Sequence, residues 1–385
     1  MLKCTGVKRM DDYYFGIPHG SGYDRTVEEF INAAKIGDEF IKERIDGDVY
    51  IDADNGIFEI GGVLPPRLNH GEYYRLDASK RAEYSLGKDT LSDCTPGGTL
   101  RFYTDSPYLV LKVEYRSCCL GMHHFCDRGV YGFDMYTGDG TDRRYCGAMM
   151  QTFADDPVKN AQKLVMPEGC KEIMIEFPLY GGIKTLSVGL PADSRVARPA
   201  PRAFKPVAFY GSSITQGGCV SRPGSMYSNI ICRALDCDNI NMGYSGSAFG
   251  EQYTAEWIAR RDISAFVMDY DYNSRSLEEL ASTHEPFYRT VRDAHPDIPI
   301  IIVSHPCFWD VTENDKKKSR ICRRTYLRAK KRGENVYFVD GGRFFPAPMK
   351  DLFCVDNLHP NDLGHYYMAK AIYPALKKAL KGKTK

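Results

Sequence analysis

Two serines stand between glycines in Gly211-Ser212-Ser213-Ile214-Thr215-Gln216-Gly217-Gly218, directly after the apolar run Val207-Ala208-Phe209-Tyr210. A small-residue turn at the carboxyl end of a strand presents a hydroxyl in the crevice where open α/β sheets place their chemistry. An ordinary Ser/Gly loop would look the same, because a hydroxyl needs a base before it becomes a nucleophile. A base is present near the other end of the chain. Asp356-Asn357-Leu358-His359 sets a carboxylate three residues before an imidazole. The carboxylate can fix one ring nitrogen while the other takes a serine proton. Two intervening segments offer donors. Asn241-Met242-Gly243-Tyr244-Ser245-Gly246-Ser247 can expose the backbone N–H of Gly246, and Ala265 to Asn273 reads as a strand ending in a carboxamide. With the amide of Ser213 they would form an oxyanion hole, which usually supplies more of the rate enhancement in acyl transfer than any other device. Taken singly, these are a Gly turn and an Asn cap.

In the order Ser, Gly, Asn, Asp-x-x-His, the blocks resemble the SGNH or GDSL-type hydrolases. The resemblance puts Ser213 at the nucleophile position. It puts Gly246 and Asn273 at the second and third oxyanion positions, and Asp356 and His359 in the last block. Two departures stand out. Ser212 replaces the aspartate common before the nucleophile, and Asn273 lies in Asp-Tyr-Asp-Tyr-Asn rather than Gly-x-Asn-Asp. The resemblance spans roughly residues 203–382 and implies a flavodoxin-like, three-layer parallel-sheet domain that hydrolyses esters through an acyl-enzyme, with no cofactor. Gly132-Phe133-Asp134-Met135-Tyr136 is similar to the Gly-x-Asp-Leu-Tyr signature of the β domain that precedes some of these esterases, with Met for Leu. Such a domain can lend a loop to the catalytic cleft. The candidate loop is Gly121-Met122-His123-His124-Phe125, whose packing on its own domain is the competing reading.

These blocks need a sheet to hold them, and the chain divides accordingly. At 385 residues it exceeds a single core, so two domains are expected. Thr26 to Lys35 has a helical apolar period and a capping-box pattern at Thr26 and Glu29. From Val49 to about Leu190, short alternating runs recur between Gly, Pro and Asp turns, which predicts an antiparallel sandwich of jelly-roll type. The expected division is a β domain over 1–190 with a short leading helix, a Pro-rich linker over 191–202, and the hydrolase domain over 203–385. In the last part strands and helices alternate, with helices expected over Ser225–Leu235, Pro286–Ala294, Asp315–Arg332 and Leu363–Leu380.

A net charge of +1 argues against a nucleic-acid partner held by electrostatics. The basic run on the Asp315–Arg332 helix is read as a solvated face. No stretch approaches a membrane span, and the N-terminus lacks an apolar signal core. Thirteen cysteines, an odd count in a large chain, fit reduced thiols and a cytoplasmic protein. His123 and His124 beside Cys118, Cys119 and Cys126 match no usual zinc spacing, so no metal is expected. His305 is the rival imidazole to His359, but no carboxylate stands at matching spacing. It is taken as a cleft-wall or structural residue.

For substrate, the two-domain pattern resembles carbohydrate acetyl-esterases. The wording around Ser213 and Asn273 looks nearest the intracellular mannan-oligosaccharide group, with xylan-type substrates the next choice. His124, Tyr272 and Trp309 are the candidate substrate-binding residues. Two alternatives stay open: a small-molecule acyl-ester hydrolase or thioesterase, and a catalytically idle glycan-binding protein. The sequence leaves oligomeric state open and is compatible with a homo-oligomer.

Overall fold

The computed structural model describes residues 30–116, 122–149, 158–308 and 311–381. Its first half carries β1 (Ile31–Asn32), β2 (Ile41–Ile45), β3 (Asp48–Asp52), β4 (Glu59–Gly61), β5 (Thr99–Thr104), β6 (Tyr108–Tyr115), β7 (Phe133–Thr137), β8 (Arg144–Met149), β9 (Lys159–Val165), β10 (Lys171–Glu176), β11 (Ile183–Pro191) and β12 (Arg195–Ala197). They form two antiparallel sheets. One runs β1-β12-β5-β10-β7-β8 with β4 on β5, and the other β2-β3-β11-β6-β9. Side chains alternate across a strand, and here the alternation sorts residues between two surroundings. Along β10, Ile173 and Ile175 enter the core shared by both sheets. Glu172 and Glu176 lie on the opposite face, equally buried but paired with arginines.

The second half is a five-stranded parallel sheet, β14-β13-β15-β16-β17. Its strands are β13 (Val207–Gly211), β14 (Asn239–Gly243), β15 (Ala265–Asp269), β16 (Ile300–Val303) and β17 (Val336–Val339). Two short helices, α1 (Leu86–Ser92) and α2 (Asp127–Tyr131), belong to the β-rich domain. Around the parallel sheet lie α3 (Ser213–Gln216), α4 (Tyr227–Leu235), α5 (Gln252–Ala259), α6 (Leu277–Ala294), α7 (Glu313–Lys331) and α8 (Asp362–Lys381). Alternate strand residues face opposite layers. Phe209, Val267 and Ile301 pack with α4 and α8. Tyr210, Met268 and Ile302 pack with α5, α6 and α7. Each such side chain, fully buried, contributes roughly 1.5–3 kcal/mol relative to exposure.

Several sequence expectations are corrected. Thr26–Glu29 lies outside the described residues. From Phe30 on there is no helix: β1 pairs with β12 (Ile31↔Val196), and Ala33–Lys35 makes a single 3-10 turn capped by Asn32. Pairing to a free sheet edge outweighs the weak helical period. Helix α6 starts at Leu277, nine residues before Pro286, because Ser276 accepts from the Glu279 N–H and caps it. Pro286 sits inside that helix rather than opening it. Strand β15 ends at Asp269, and Asn273 stands on the following 3-10 turn, Asp271–Asn273. Within the segment read as a linker, Arg195–Ala197 forms β12.

The two domains meet through buried charge. Arg233 donates to Glu176 at 2.6 Å, Arg143 reaches both Glu172 (2.6 Å) and Asp236 (2.9 Å), and Asp134 accepts from Arg222 and from the Gly224 N–H (2.8 Å). The Gly132–Tyr136 signature is therefore a joint between the domains. Phe133 and Met135 point into the β core, and Asp134 and Tyr136 point at the arginines of the parallel-sheet domain.

Candidate active site

Where β13 ends, Ser212 and Ser213 divide two tasks. The Ser212 hydroxyl accepts from the Ile214 N–H (3.2 Å) and caps α3. The Ser213 hydroxyl lies 2.9 Å from His359 Nε2. The His359 Nδ1 lies 2.8 Å from Asp356 Oδ2. The other Asp356 oxygen accepts from the backbone N–H groups of His359 (2.7 Å) and Leu358 (3.1 Å). This tight turn puts Asn357 at φ +66°, a conformation that Asn tolerates better than most residues. Partial burial works against the Asp356 charge. The His359 backbone and ring outweigh it, so the carboxyl is held below its usual range. Ser213 and His359 are buried, and Asp356 remains partly open to solvent.

The expected oxyanion donors belong to three segments that bond to one another. Ser213 is the first residue of α3, where an N–H has no acceptor within its own helix. Tyr244 to Ser247 is a tight turn closed by the Ser247 N–H on the Tyr244 carbonyl (3.0 Å), with Gly246 at φ +63°. Positive φ at the third position of such a turn favours glycine. Asn273 Nδ2 donates to the same Tyr244 carbonyl at 3.0 Å, and Gln216 of α3 accepts from the Ser245 N–H at 2.9 Å.

The candidate loop from the β-rich domain reaches this site. The His124 ring centroid lies 5.5 Å from that of His359, and Phe125 stands edge-on to His359 at 6.1 Å. Phe125 packs on Tyr180, whose hydroxyl donates to the Ser213 carbonyl at 3.4 Å. Nothing local in the sequence marks Tyr180 for this place. Tyr272 stands edge-on to His305 at 5.1 Å. Trp309 lies outside the described residues. Cys219 sits beside the triad: its Sγ and ligand atoms of His124, Asp356 and His359 fall within 4.8 Å of one another. Burial first, and then Asp356, push its thiol up to about 12.

His305 does have carboxylates, though not at a sequence spacing that reveals them. Its Nδ1 lies 2.7 Å from Asp271 Oδ2 and its Nε2 3.4 Å from Asp315. Burial disfavours the charged ring, but Asp271 outweighs it and raises the pKa to about 11. Asp271 and His305 follow neighbouring parallel strands, β15 and β16, and residues just past such strand ends meet in space. That rule is the signal by which the sequence could have paired them.

A parallel three-layer domain with a Ser-His-Asp constellation at the strand ends defines an acylhydrolase-type protein. Residues 204–377 match the GDSL-like Lipase/Acylhydrolase family, and residues 49–196 match the N-terminus of Esterase_SGNH_hydro-type. The chain carries a GDSL-like acylhydrolase domain behind the N-terminal domain of an SGNH-type esterase. Among solved structures it is similar to a GDSL-like lipase from Bacteroides ovatus ATCC 8483 (28% identity, TM-score 0.76, covering 87% of this chain and 98% of that one). Two others are alike in fold. One is the salicylyl-acyltransferase SsfX3 of a tetracycline biosynthetic pathway (17% identity, TM-score 0.73, covering 89% and 99%). The other is the acetyl xylan esterase Est2A of the rumen bacterium Butyrivibrio proteoclasticus (13% identity, TM-score 0.54, covering 86% and 99%). No curated protein matches the chain.

Proposed function

We propose that this ester hydrolase removes acetyl groups from acetylated plant-glycan oligosaccharides, with mannan-type chains favoured over xylan-type. The observation that carries the chemistry is the unbroken line Ser213 Oγ, His359, Asp356 at 2.9 and 2.8 Å. Ser213 attacks the ester carbonyl while His359 takes its proton, and Asp356 keeps the ring oriented and balances the imidazolium. The Ser213 and Gly246 amides and the Asn273 carboxamide hold the oxyanion. His359 then protonates the leaving sugar hydroxyl, and water repeats the cycle on the acetyl-enzyme.

His124, Tyr272 and Trp309 are assigned to the sugar. The setting of His124 and Phe125 against His359 favours contact with the leaving-group side. In the β-rich domain, β5, β6 and β7 alternate between the sheets while β10 returns beside β5, which favours jelly-roll wiring. The proposed division stays at 1–190, 191–202 and 203–385 with one amendment: Arg195–Ala197 belongs to the sheet of the β-rich domain. Free thiols at the described cysteines from Cys126 to Cys354 favour a reducing, cytoplasmic setting; among the described residues no helix is long and apolar enough to cross a membrane.

The test is mass-spectrometric loss of acetyl from acetylated manno- and xylo-oligosaccharides, run beside p-nitrophenyl acetate. Wild type should act on both kinds of ester. Ser213→Ala should lower kcat by a factor on the order of 10³ or more while its melting temperature stays unchanged. Undiminished turnover by that variant overturns the mechanism. Hydrolysis of p-nitrophenyl acetate with no loss of glycan acetyl overturns the substrate.

A further inference from the structure

We infer that Arg75, a residue of the β-rich domain, is a positioning residue for the oxyanion hole, which makes that domain a working part of the catalytic apparatus. The inference rests on the esterase reading above and deepens it.

Strand β14 is an edge strand of the parallel sheet: β13 occupies one side and, among the described residues, no strand the other. An edge leaves a row of carbonyls in search of donors. Arg75 supplies them from the neighbouring domain. Its Nη1 donates to the carbonyls of Gly243 (2.6 Å) and Asn241 (3.1 Å), and its Nη2 donates to the Leu91 carbonyl (2.6 Å). The backbone around it is closely fitted. A side chain at Gly62 or Gly97 would run into the Asn239 carbonyl of the same edge.

Gly243 is the last residue of β14, and the turn carrying Gly246 begins at the next residue. Tyr244, fully buried, is held in the same way. The Arg75 guanidinium stands 4.2 Å from its ring centroid, Lys88 Nζ lies 3.7 Å from it, and Ser92 Oγ lies 3.3 Å from its hydroxyl. The Tyr244 carbonyl, in turn, closes the Gly246 turn and accepts from Asn273. The Arg75 guanidinium thus helps to hold, with Lys88, Ser92 and the Gly211 carbonyl that accepts from the Tyr244 N–H, the point where two of the three oxyanion donors are tied together. Planar, multidentate donation of this kind is not reproduced by an ammonium group. Displacing oxyanion donors by a fraction of an ångström weakens transition-state stabilisation more than substrate binding.

The test uses full-length Arg75→Lys and Arg75→Ala, with kcat counted per titratable Ser213. A role confined to stability would lower the melting temperature and the active fraction but leave turnover per active serine alone. The positioning role predicts a kcat about 10- to 100-fold lower on p-nitrophenyl acetate with KM within about twofold. It also predicts partial restoration of the Ala variant by added ethylguanidinium. If Arg75→Ala does not fold, the Lys variant decides alone. Turnover per active serine within twofold of wild type overturns the inference. The same preparations are compared with Ser213→Ala, so a failed esterase reading shows itself separately, as activity that survives loss of the serine.

Discussion

At the level of single residues, the division of labour between Ser212 and Ser213 is set by what each hydroxyl can reach. Ser212 spends its oxygen on the Ile214 N–H, leaving Ser213 to face His359. The second imidazole has a different task. His305 lies buried between Asp271 and Asp315, beside the turn that carries Asn273. Its pKa, raised from 6.5 to about 11, implies stability that is fully present below pH 6.5 and is lost as pH climbs toward 11. His305→Gln removes that contribution. The stability gap between wild type and variant should therefore be widest near pH 6 and shrink steadily to pH 10, measured by urea unfolding. A gap that is flat or grows with pH would show that the ring is not held as a cation.

Elements enter through turns at the ends of strands. Gly246 has φ +63°, and an added Cβ would meet no atom within 4 Å. Space is available there, so Gly246→Ala probes backbone conformation alone. A left-handed alanine costs roughly 1–2 kcal/mol, and the turn can relieve the strain by rotating its N–H away. The expected outcome is that loss of stability in denaturant titration together with a several-fold lower kcat. Unchanged kcat at wild-type stability would remove Gly246 from the oxyanion assignment. The α6 correction belongs to this scale as well. Ser276-Leu277-Glu278-Glu279 carries the signature of a helix start, and it decides the boundary against the proline nine residues on.

Across the whole molecule, the domains are joined by ion pairs with almost no solvent access. Arg233 and Glu176, each 2% exposed at the side chain, lie 2.6 Å apart. Removing one partner of such a pair strands the other charge, at a cost of about 3–5 kcal/mol. Arg233→Met should destabilise by that order in urea unfolding, and adding Glu176→Leu should restore much of the loss. A single variant within about 1 kcal/mol of wild type would mean that water reaches the joint. The same joint holds the β-rich domain where His124, Phe125, Tyr180 and Arg75 meet the catalytic segments, so domain packing and site geometry are one problem.

The sequence by itself determined the reaction class and the two kinds of architecture. Strand-end glycines, the Asp-x-x-His spacing and the strand periodicities are local features, legible over a few residues. It also named the five residues whose segments meet at the site. Only the tertiary structure decided the contacts between segments far apart in the chain. Examples are the pairing of Ile31 with Val196 that makes residue 31 a strand, and the guanidinium reaching from residue 75 to residue 243. Those depend on which sheet edge is left open and which charges are buried together, and no spacing along the chain encodes them.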